Sequence, residues 1–447
     1  PALPEEERQK REAEKADKRK ARKNNGAKRD MHYEMEEEEH VVYPDDPDFD
    51  INKARLVTTA PRICVRYECV PMRFIKHVYK IHTYAQDGRL FEGKTPVSAF
   101  LNSSYDGSFI AGLMELRYIQ SLPVERIINY FESHGFTLKK PTAHKLMEKA
   151  SSLFENLYKC IRQTALSDPY KAADETYYKI LVPEKNSKGK GVRKGYLWVV
   201  VGINTRMIYL LYDDGSRSER VILNELGSCK GIIQSDGYSP YRKLESDAYP
   251  HITRIPCLQH IKRKFIDCGE DDPDAKRIVE MINTLYQNEH KHKIEVEGWT
   301  VEQNLVHRKK YAPDILGEIK DVLDEIEERG DLLPKSELQE AITYLRNEWN
   351  AVVDIFNYGD TYLDNNIVER MNRYISLSRK NSLFFGSHKG AERGAILYTI
   401  ALTCRMNKVN LFEYLTDVIN RTAEWQPNTP LEKYRLLLPD RWEKAND

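Results

Sequence analysis

Five short apolar runs between residues 177 and 257 constrain the fold of this chain more than any other feature. The first three, at 177–182, 196–203 and 207–212, are separated only by turns, which is typical of an antiparallel meander. A helix candidate precedes each of the two further runs, at 231–234 and 252–257. The order of three strands, helix, strand, helix and strand predicts an α/β fold, an RNase H-like core whose sheet is mixed rather than purely parallel.

The charges of the chain are balanced, with 69 Lys and Arg residues against 69 Asp and Glu residues among 447. A highly negative partner would therefore have to be bound by local basic patches and not by net charge. An isolated basic run can equally be a solvated helix face. Seven scattered cysteines without a Cys-x-x-Cys pair favour a reducing compartment. With no long apolar stretch and no apolar leader, we expect a cytoplasmic protein without a membrane partner.

The predicted strand order indicates two aspartates as candidate site residues. Asp174 lies at the first strand and Asp236 at the end of the fourth, and these strands are neighbours in such a sheet, so their ends can meet. Carboxylates brought together in this way can hold magnesium ions. Taken alone, Asp236 could simply form a turn before Gly237. Asp174 could be a strand-edge charge, with Glu175 as a substitute ligand.

A third carboxylate, Glu369, is predicted on a helix. Residues 364–366 form a natural N-cap, and Ile367, Met371 and Ile375 repeat at helical spacing and would be the buried stripe of this helix. Glu369 would lie in the first turns, where a glutamate can also serve only as a partner of the helix dipole. The same segment carries four cations, which favour a site that handles a phosphodiester. They are Arg370, Arg373, Arg379 and Lys380.

The whole sequence divides into segments of different composition. The predicted domains are a charged N-terminal tail at 1–50, a small β-rich unit at 51–93, a helical helix-turn-helix-like DNA-binding domain at 94–165, the first part of the RNase H-like core at 166–261, a helical insertion at 262–360, and the last helices of the core with the C-terminal segment at 361–447. The helices of the third domain could equally be ordinary packed helices. The insertion could hold DNA or a partner subunit, or be a solvated bundle.

Further basic residues are candidate DNA contacts besides those near Glu369. Three lie on the helix-turn-helix-like domain, three follow the last strand of the core, and two lie in the loop 385–394. The glycines of that loop permit close backbone approach to phosphate, although it could equally be a plain capped turn. The residues are Lys139, Lys140 and Lys145; Lys262, Arg263 and Lys264; and Lys389 and Arg393.

Several strings of this sequence resemble the IS66 family of bacterial insertion-sequence transposases. They are the DET at Asp174, SDGYSPY, PCLQHIKRKF and LDNNIVERMNRYISLSRKNSLFFGSHKGAERGAILYTIALTCRMN, and the resemblance runs from about Leu90 to the C-terminus. The resemblance implies a DDE transposase that binds the ends of an insertion sequence and catalyses metal-dependent DNA cleavage and strand transfer. Asp174, Asp236 and Glu369 would be its catalytic residues and would hold two Mg²⁺ or Mn²⁺ ions.

The resemblance extends to Cys257 and His260, whose Cys-x-x-His spacing is found in many transposases of this type. His260 would brace the active site or contact the scissile phosphate, or else only pack locally. Zinc there would need two more ligands, and Cys268 is the nearby candidate. Members of the family usually carry paired cysteines in an N-terminal zinc-binding segment. Here residues 80–85 read KIHTYA where the second pair would fall, so structural zinc in that segment is doubtful.

The resemblance also implies partners. DNA is expected both as the terminal inverted repeats of the element and as target DNA. At least a dimer of this chain is expected during the reaction, with accessory proteins of the same element as further candidates. The protein would be bacterial and cytoplasmic, and associated with the nucleoid when bound to DNA. Two alternatives stay open: a catalytically lapsed, sequence-specific DNA-binding protein on the same fold, and a metal-dependent nuclease without strand transfer.

Overall fold

The computed structural model describes residues 72–78, 83–86, 89–92, 98–100 and 103–444, the last range with gaps at 186–188, 190, 270, 290–292, 295–296 and 427. The tail predicted at 1–50 and most of the small unit predicted at 51–93 lie outside the described residues. A two-stranded antiparallel ribbon is described from that unit, with β1 at Thr83–Gln86 and β2 at Arg89–Glu92. Among the described helices, none combines the length and the apolar character that crossing a membrane requires.

A five-stranded mixed sheet lies at the centre of the described structure. Its strands are β3 (Tyr170–Leu181), β4 (Val192–Gly202), β5 (Met207–Leu211), β6 (Gly231–Ser235) and β7 (Ile252–Pro256). They lie in the order β5-β4-β3-β6-β7. β4 is antiparallel to both β3 and β5, whereas β6 runs parallel to both β3 and β7. This mixed α/β arrangement is consistent with an RNase H-like core and agrees with the predicted strand order.

The principal helices surround this sheet. They are α1 (Gly107–Tyr118), α2 (Val124–Ser133), α3 (Lys140–Leu153), α4 (Glu155–Ser167), α5 (Glu219–Leu226), α6 (Ser239–Arg242), α7 (Leu258–Asp267), α8 (Pro273–Asn288), α9 (Val301–Arg329), α10 (Glu337–Ile355), α11 (Asn366–Asn381), α12 (His388–Met406), α13 (Leu411–Thr422) and α14 (Leu431–Arg435). On α12, the buried hydroxyls of Thr399 and Thr403 hydrogen-bond to the Leu210 amide and the Ile208 carbonyl, each at 2.9 Å. The edge strand β5 is thereby shielded from pairing with another chain.

The first strand of the sheet is longer than predicted. β3 begins at Tyr170 and not at 177, so Asp174 lies inside the strand, and its predicted position at a strand end is wrong. Lysine and alanine at 171–173 have little intrinsic strand preference, and pairing with β4 and β6 on both sides holds them extended. The parallel pairing with β6 nevertheless stops at Ala172, so Asp174 lies where its neighbouring strand ends.

Helices form where the helix-turn-helix-like domain is predicted. α2 and α3 are joined by a short connection in which Gly135 has a φ of 83°, a conformation that glycine adopts without strain. Phe131 and Phe136 from this region pack against Phe109 of α1, with ring centroids 5.4 and 5.0 Å apart. The helix pair is therefore part of a packed core, and DNA binding by it stays a prediction.

The helical insertion is present as α8, α9 and α10. Ile278, Leu323 and Leu345 of these helices contribute to an apolar core that they share with Ile232 and Ile255 of the sheet. α10 also packs on α7 and on β7, the strand beside β6. The insertion therefore lies against the part of the sheet from which Asp236 emerges.

Helix α11 begins close to the predicted position but buries a different stripe. Its first residue is Asn366, and Val368 and Ile375 are buried, whereas Ile367 and Met371 are only partly buried. The inward face is shifted because it also contains polar side chains that contact β3. This shift places the catalytic candidate Glu369 at the edge of the buried face.

Candidate active site

Asp174 and Asp236 lie side by side where β3 and β6 part. Ala172 of β3 pairs with Gln234 of β6 in the parallel register. Asp174 lies two residues after Ala172 and Asp236 two residues after Gln234, so the two aspartates lie on the same face of the sheet. The pKa of Asp174 is raised from its usual 3.8 to about 8, chiefly by burial and then by the negative charges of Glu175 and Asp236. A cation placed here would stabilise both carboxylates.

Backbone amides and a buried arginine hold the loop of Asp236. Its Oδ1 accepts a hydrogen bond from the Tyr238 amide at 3.1 Å, and its carbonyl oxygen accepts one from Arg254 at 3.2 Å. The Gly237 amide donates to the hydroxyl of Tyr344, a residue of the insertion, at 2.8 Å. A Cβ on Gly237 would lie 2.5 Å from that hydroxyl, so only glycine permits this approach. Asp236 therefore forms a turn before Gly237, the alternative role suggested by the sequence, and it also lies beside Asp174.

Helix α11 presents three polar side chains to the same place. Asn365, Glu369 and Asn372 are spaced four and three residues apart and therefore share one face of the helix. Asn372 Nδ2 donates to Asp174 Oδ2 at 2.6 Å, and Asn365 Nδ2 donates to the Ala173 carbonyl at 3.0 Å. Glu369 lies on this face between the two residues that make these contacts, one turn before Asn372.

The inward face of α11 carries buried oxygen atoms without a hydrogen-bond partner. Asn365 Oδ1 and Asn372 Oδ1 face β3, whereas Glu369 Oε1 faces His260. Buried acceptors without a donor are uncommon in folded proteins, and a cation would satisfy them. Carboxylate and amide oxygens are the ligands that Mg²⁺ and Mn²⁺ take. The residues around Asp174 therefore fit divalent ions.

Glu369 also has neighbours that the sequence did not associate with it. His260 Nδ1 lies 3.8 Å from Glu369 Oε1, and the ligand atoms of Cys257, His260 and Glu369 all lie within 4.8 Å of one another. Cys257 is the N-cap residue of α7, so its Cys-x-x-His spacing puts it and His260 at the same helix end. Cys268, the ligand considered from the sequence, is not part of this group.

Glu175 is held by other residues of the protein. Its carboxylate accepts hydrogen bonds from Arg217 Nε at 3.0 Å and from the Tyr241 hydroxyl at 3.4 Å. Burial raises the pKa of Glu175, and the bond with Arg217 lowers it. Because Arg217 already compensates its charge, a structural role is favoured over the alternative of a substitute metal ligand.

Some of the cations predicted to contact DNA already bond to other groups of this protein, whereas others are exposed. Arg379 donates to the Tyr177 carbonyl at 2.6 Å, Arg393 lies 3.4 Å from a carboxylate of α3, and Lys140 pairs with a carboxylate of α2. Arg379 makes a second contact within the protein, because its guanidinium group lies over the Tyr177 ring at 4.0 Å. Lys262 is half-buried. The exposed candidates are Lys139, Lys145, Arg263, Lys264, Arg370, Arg373, Lys380 and Lys389.

A cavity of about 390 Å³ adjoins Asp236, and His260 also lines it. Arg263 and Lys264 of α7 contribute cations to its walls, and Tyr238 and Tyr344 contribute aromatic rings. Cationic and aromatic groups together suit the phosphates and bases of a nucleic-acid strand. The arrangement can therefore receive a polyanion directly beside the paired aspartates.

Residues 102–393, well over half of the chain, match the family described as Transposase IS66 family. This chain belongs to the IS66 family. The family resemblance seen in the sequence strings is thereby confirmed. Membership of the IS66 family implies a DDE transposase, and with it DNA as the partner and divalent metal ions as cofactors. The matched range contains Asp174, Asp236 and Glu369.

Three uncharacterized proteins of Sinorhizobium fredii are similar to this IS66 family member. The protein y4jD is 26% identical over 346 residues, which cover 74% of this chain and 65% of y4jD. The protein y4hP is 23% identical over 438 residues, covering 92% of this chain and 76% of y4hP. The protein y4qI is 26% identical over 384 residues, covering 82% of this chain and 69% of y4qI. This chain thus spans just under two thirds of the length of y4jD.

Three residues of the site were missed by reasoning from the sequence: Asn372, Arg254 and Tyr344. For Asn372 a signal existed, because it follows Glu369 by three residues and must share its helix face. Arg254 and Tyr344 contact the Asp236 loop from positions 18 and 107 residues away. No local pattern marks such distant partners.

Proposed function

We propose that this protein is an active DDE transposase that cuts DNA at the ends of an insertion sequence and joins those ends to target DNA. The observation that carries the proposal is the placement of Asp174 beside Asp236, with Asn372 of α11 donating to Asp174. Burial chiefly, and then the negative charges of Glu175 and Asp236, raise the pKa of Asp174 to about 8. Placing two carboxylates side by side, one of them with a pKa raised by burial, is unfavourable for folding alone. Such an arrangement is characteristic of a functional site.

Asp174, Asp236 and Glu369 would hold two Mg²⁺ or Mn²⁺ ions, which supply activation of an attacking water or 3′-hydroxyl and stabilisation of the leaving oxygen. Asn372 favours the ionised form of Asp174 by donating to its Oδ2. Arg254 and Tyr344 keep the Asp236 loop in one position through its backbone.

The exposed cations would bind DNA phosphates. Arg263 and Lys264 would hold the strand next to Asp236, and Lys139 and Lys145 would contact more distant DNA. His260 would lie near the scissile phosphate. Two element ends have to be paired, so at least a dimer is proposed, with accessory proteins of the same element as further partners. The bacterial cytoplasm is the proposed location.

The test is magnesium-dependent cleavage and joining of labelled DNA that carries the ends of the encoding element. Wild type is expected to nick the ends and to form joined products. Glu369→Gln should bind the DNA as wild type does but not cut it, because it removes a metal-binding charge without removing a phosphate contact. Glu392→Gln, at an exposed position of α12, is the matched control and should cut normally.

The other outcomes separate the remaining alternatives. Cleavage without joined products would indicate a nuclease. Binding without cleavage by wild type would support a catalytically lapsed DNA-binding protein. Robust cleavage by Glu369→Gln would exclude this glutamate from the site and make Asp364 or Asp360 the next candidate.

A further inference from the structure

Cys257, His260 and Glu369 bring one sulfur, one nitrogen and one oxygen atom to a single point. The three ligand atoms lie within 4.8 Å of one another, and His260 Nδ1 is 3.8 Å from Glu369 Oε1. We infer that these residues form a binding site for a zinc-like divalent transition-metal ion. This site is separate from the Asp174–Asp236 pair and shares only the Glu369 side chain with the proposed catalytic set.

Two of the three ligand atoms lack any other partner. His260 Nδ1 and Glu369 Oε1 are both shielded from solvent, and neither makes a hydrogen bond. At 3.8 Å they are too far apart to bond to each other. A polar atom that is buried and unpartnered is unfavourable, and one ion placed between these two atoms would satisfy both.

Two features beside Cys257 favour a negatively charged sulfur, whereas burial of the thiol opposes it. Its Sγ accepts a hydrogen bond from the Asn365 amide at 3.2 Å, and Cys257 is also the N-cap residue of α7, where the helix dipole favours negative charge. Burial raises the pKa of the Cys257 thiol to about 12. A bound metal ion would displace that proton into solvent and leave a thiolate ligand.

The donor set determines which ion the site would take. Mg²⁺ takes oxygen ligands, whereas thiolate and imidazole together select zinc and related transition ions. Tetrahedral zinc with bond lengths of about 2.0 to 2.3 Å brings its ligand atoms to ~3.3–3.8 Å from one another. For a nitrogen and an oxygen ligand the separation is ~3.3–3.5 Å, so the His260–Glu369 distance of 3.8 Å has to shorten slightly. The half-exposed His260 and Glu369 side chains can rotate to shorten the longer separations.

An ion at Cys257, His260 and Glu369 is compatible with the magnesium ions proposed at Asp174, and the inference does not depend on them. A carboxylate has two oxygens, and it is Glu369 Oε1 that faces His260. The other oxygen can serve the magnesium ions proposed at Asp174. Three protein ligands leave a fourth position for water, as in zinc sites that are not closed. Binding of the ion can be measured without DNA, so its outcome is independent of whether the protein cuts.

The test is titration of metal-free, full-length protein with Co²⁺ followed by absorption spectroscopy. The protein carries no polyhistidine tag, and Cys64 and Cys69 are replaced by serine, so that these cysteines cannot supply the signal. One equivalent of Co²⁺ is expected to give the visible bands of a tetrahedral site and a near-ultraviolet thiolate charge-transfer band. Zn²⁺ should displace the Co²⁺, and excess Mg²⁺ should not.

Variants assign the signal to its ligands. Cys257→Ser should lose the charge-transfer band. His260→Ala, at a half-exposed position, should weaken Co²⁺ binding by at least about ten- to a hundredfold, the loss that even outer partners of a metal site cause. Cys268→Ser is the matched control and should bind Co²⁺ as the parent does. Circular dichroism establishes that each variant is folded.

Any of three results would overturn the inference. The first is a parent protein that shows no thiolate band with Co²⁺. The second is a band that persists in folded Cys257→Ser, and the third is an unchanged Co²⁺ affinity in His260→Ala. Because His260 is half-exposed, that variant decides the matter even if Cys257→Ser fails to fold.

Discussion

Arg254 and Glu348 form an ion pair in which both side chains are completely buried, and this pair joins the helical insertion to the loop of Asp236. Arg254 lies on β7 and Glu348 on α10. Arg254 also pairs with Glu245 and donates to the Asp236 carbonyl. The insertion is therefore attached to the active-site loop through charge as well as through packing.

Glu348→Gln should lower the free energy of unfolding by about 3–5 kcal/mol, because it leaves the Arg254 charge buried without its main partner. Urea unfolding followed by intrinsic fluorescence measures the change. Arg346→Ala on the same helix is the control, since its partners Asp324 and Glu327 are exposed and such pairs contribute only ~0–1 kcal/mol. Equal effects of the two substitutions would contradict the role assigned to the buried pair.

Asn372→Ala should move the acidic limb of the cleavage pH profile to higher pH. The Asn372 amide stabilises the ionised form of Asp174, so its removal raises the pKa of that carboxyl further. A hydrogen bond to a charged group contributes about 1.5–3 kcal/mol, which corresponds to about one to two pH units. Asn366→Ala, exposed on the same helix, should leave the profile unchanged. A slower reaction with an unshifted profile would show that Asn372 acts in another way.

Without divalent ions, the melting temperature should fall as pH rises between about 4 and 8. In this window Asp174 is ionised in the unfolded chain but protonated in the folded one, because folding raises its pKa from 3.8 to about 8. Unfolding then releases a proton, so stability decreases with rising pH. Calorimetry in EDTA should show this slope for wild type and a smaller one for Asp174→Asn. Exposed Asp247→Asn should retain the full slope, and Mg²⁺ should reduce it. A wild-type slope that Asp174→Asn leaves unchanged would contradict the assignment.

Gly237→Ala should impair cleavage and folding, because its Cβ would lie 2.5 Å from the Tyr344 hydroxyl. Combining it with Tyr344→Ala should recover part of the lost stability, since the second substitution removes the atoms in the way. Gly317→Ala is the contrasting change. No atom lies within 4 Å of where its Cβ would be, and alanine should stabilise helix α9 by about 0.5–1 kcal/mol. Strictly additive effects of Gly237→Ala and Tyr344→Ala on the melting temperature would disprove the contact.

The strand order and the Asp174–Asp236 pairing could be predicted because apolar periodicity is a local property. A parallel register then brings residues at matching offsets together. The start of β3 could not be predicted, because Lys171 and the alanines after it form a strand only through pairing with β4 on one side and β6 on the other. Sequence reasoning therefore predicted that Asp174 and Asp236 lie side by side but misplaced Asp174 within its strand.

The contacts that surround the carboxylates could not be predicted because they join distant parts of the chain. Arg254 looks like an ordinary polar residue of a strand, and Glu348 lies in a helix as charged as a solvated one; 94 residues separate them. Likewise, the Cys-x-x-His spacing was visible, but its approach to Glu369 depends on how α7 and α11 pack. Such groupings are properties of the fold and have no local pattern.

The most direct test of the central claim is DNA cleavage by Asp236→Cys in Mg²⁺ and in Mn²⁺. A thiolate is a poor ligand for Mg²⁺, whereas the transition ion Mn²⁺ accepts sulfur more readily. If Asp236 binds a catalytic ion, the variant should be inactive in Mg²⁺ and partly active in Mn²⁺, while Asp236→Ala should be inactive in both. Equal cleavage by Asp236→Cys with the two ions would show that Asp236 is not a metal ligand and would contradict the proposed active site.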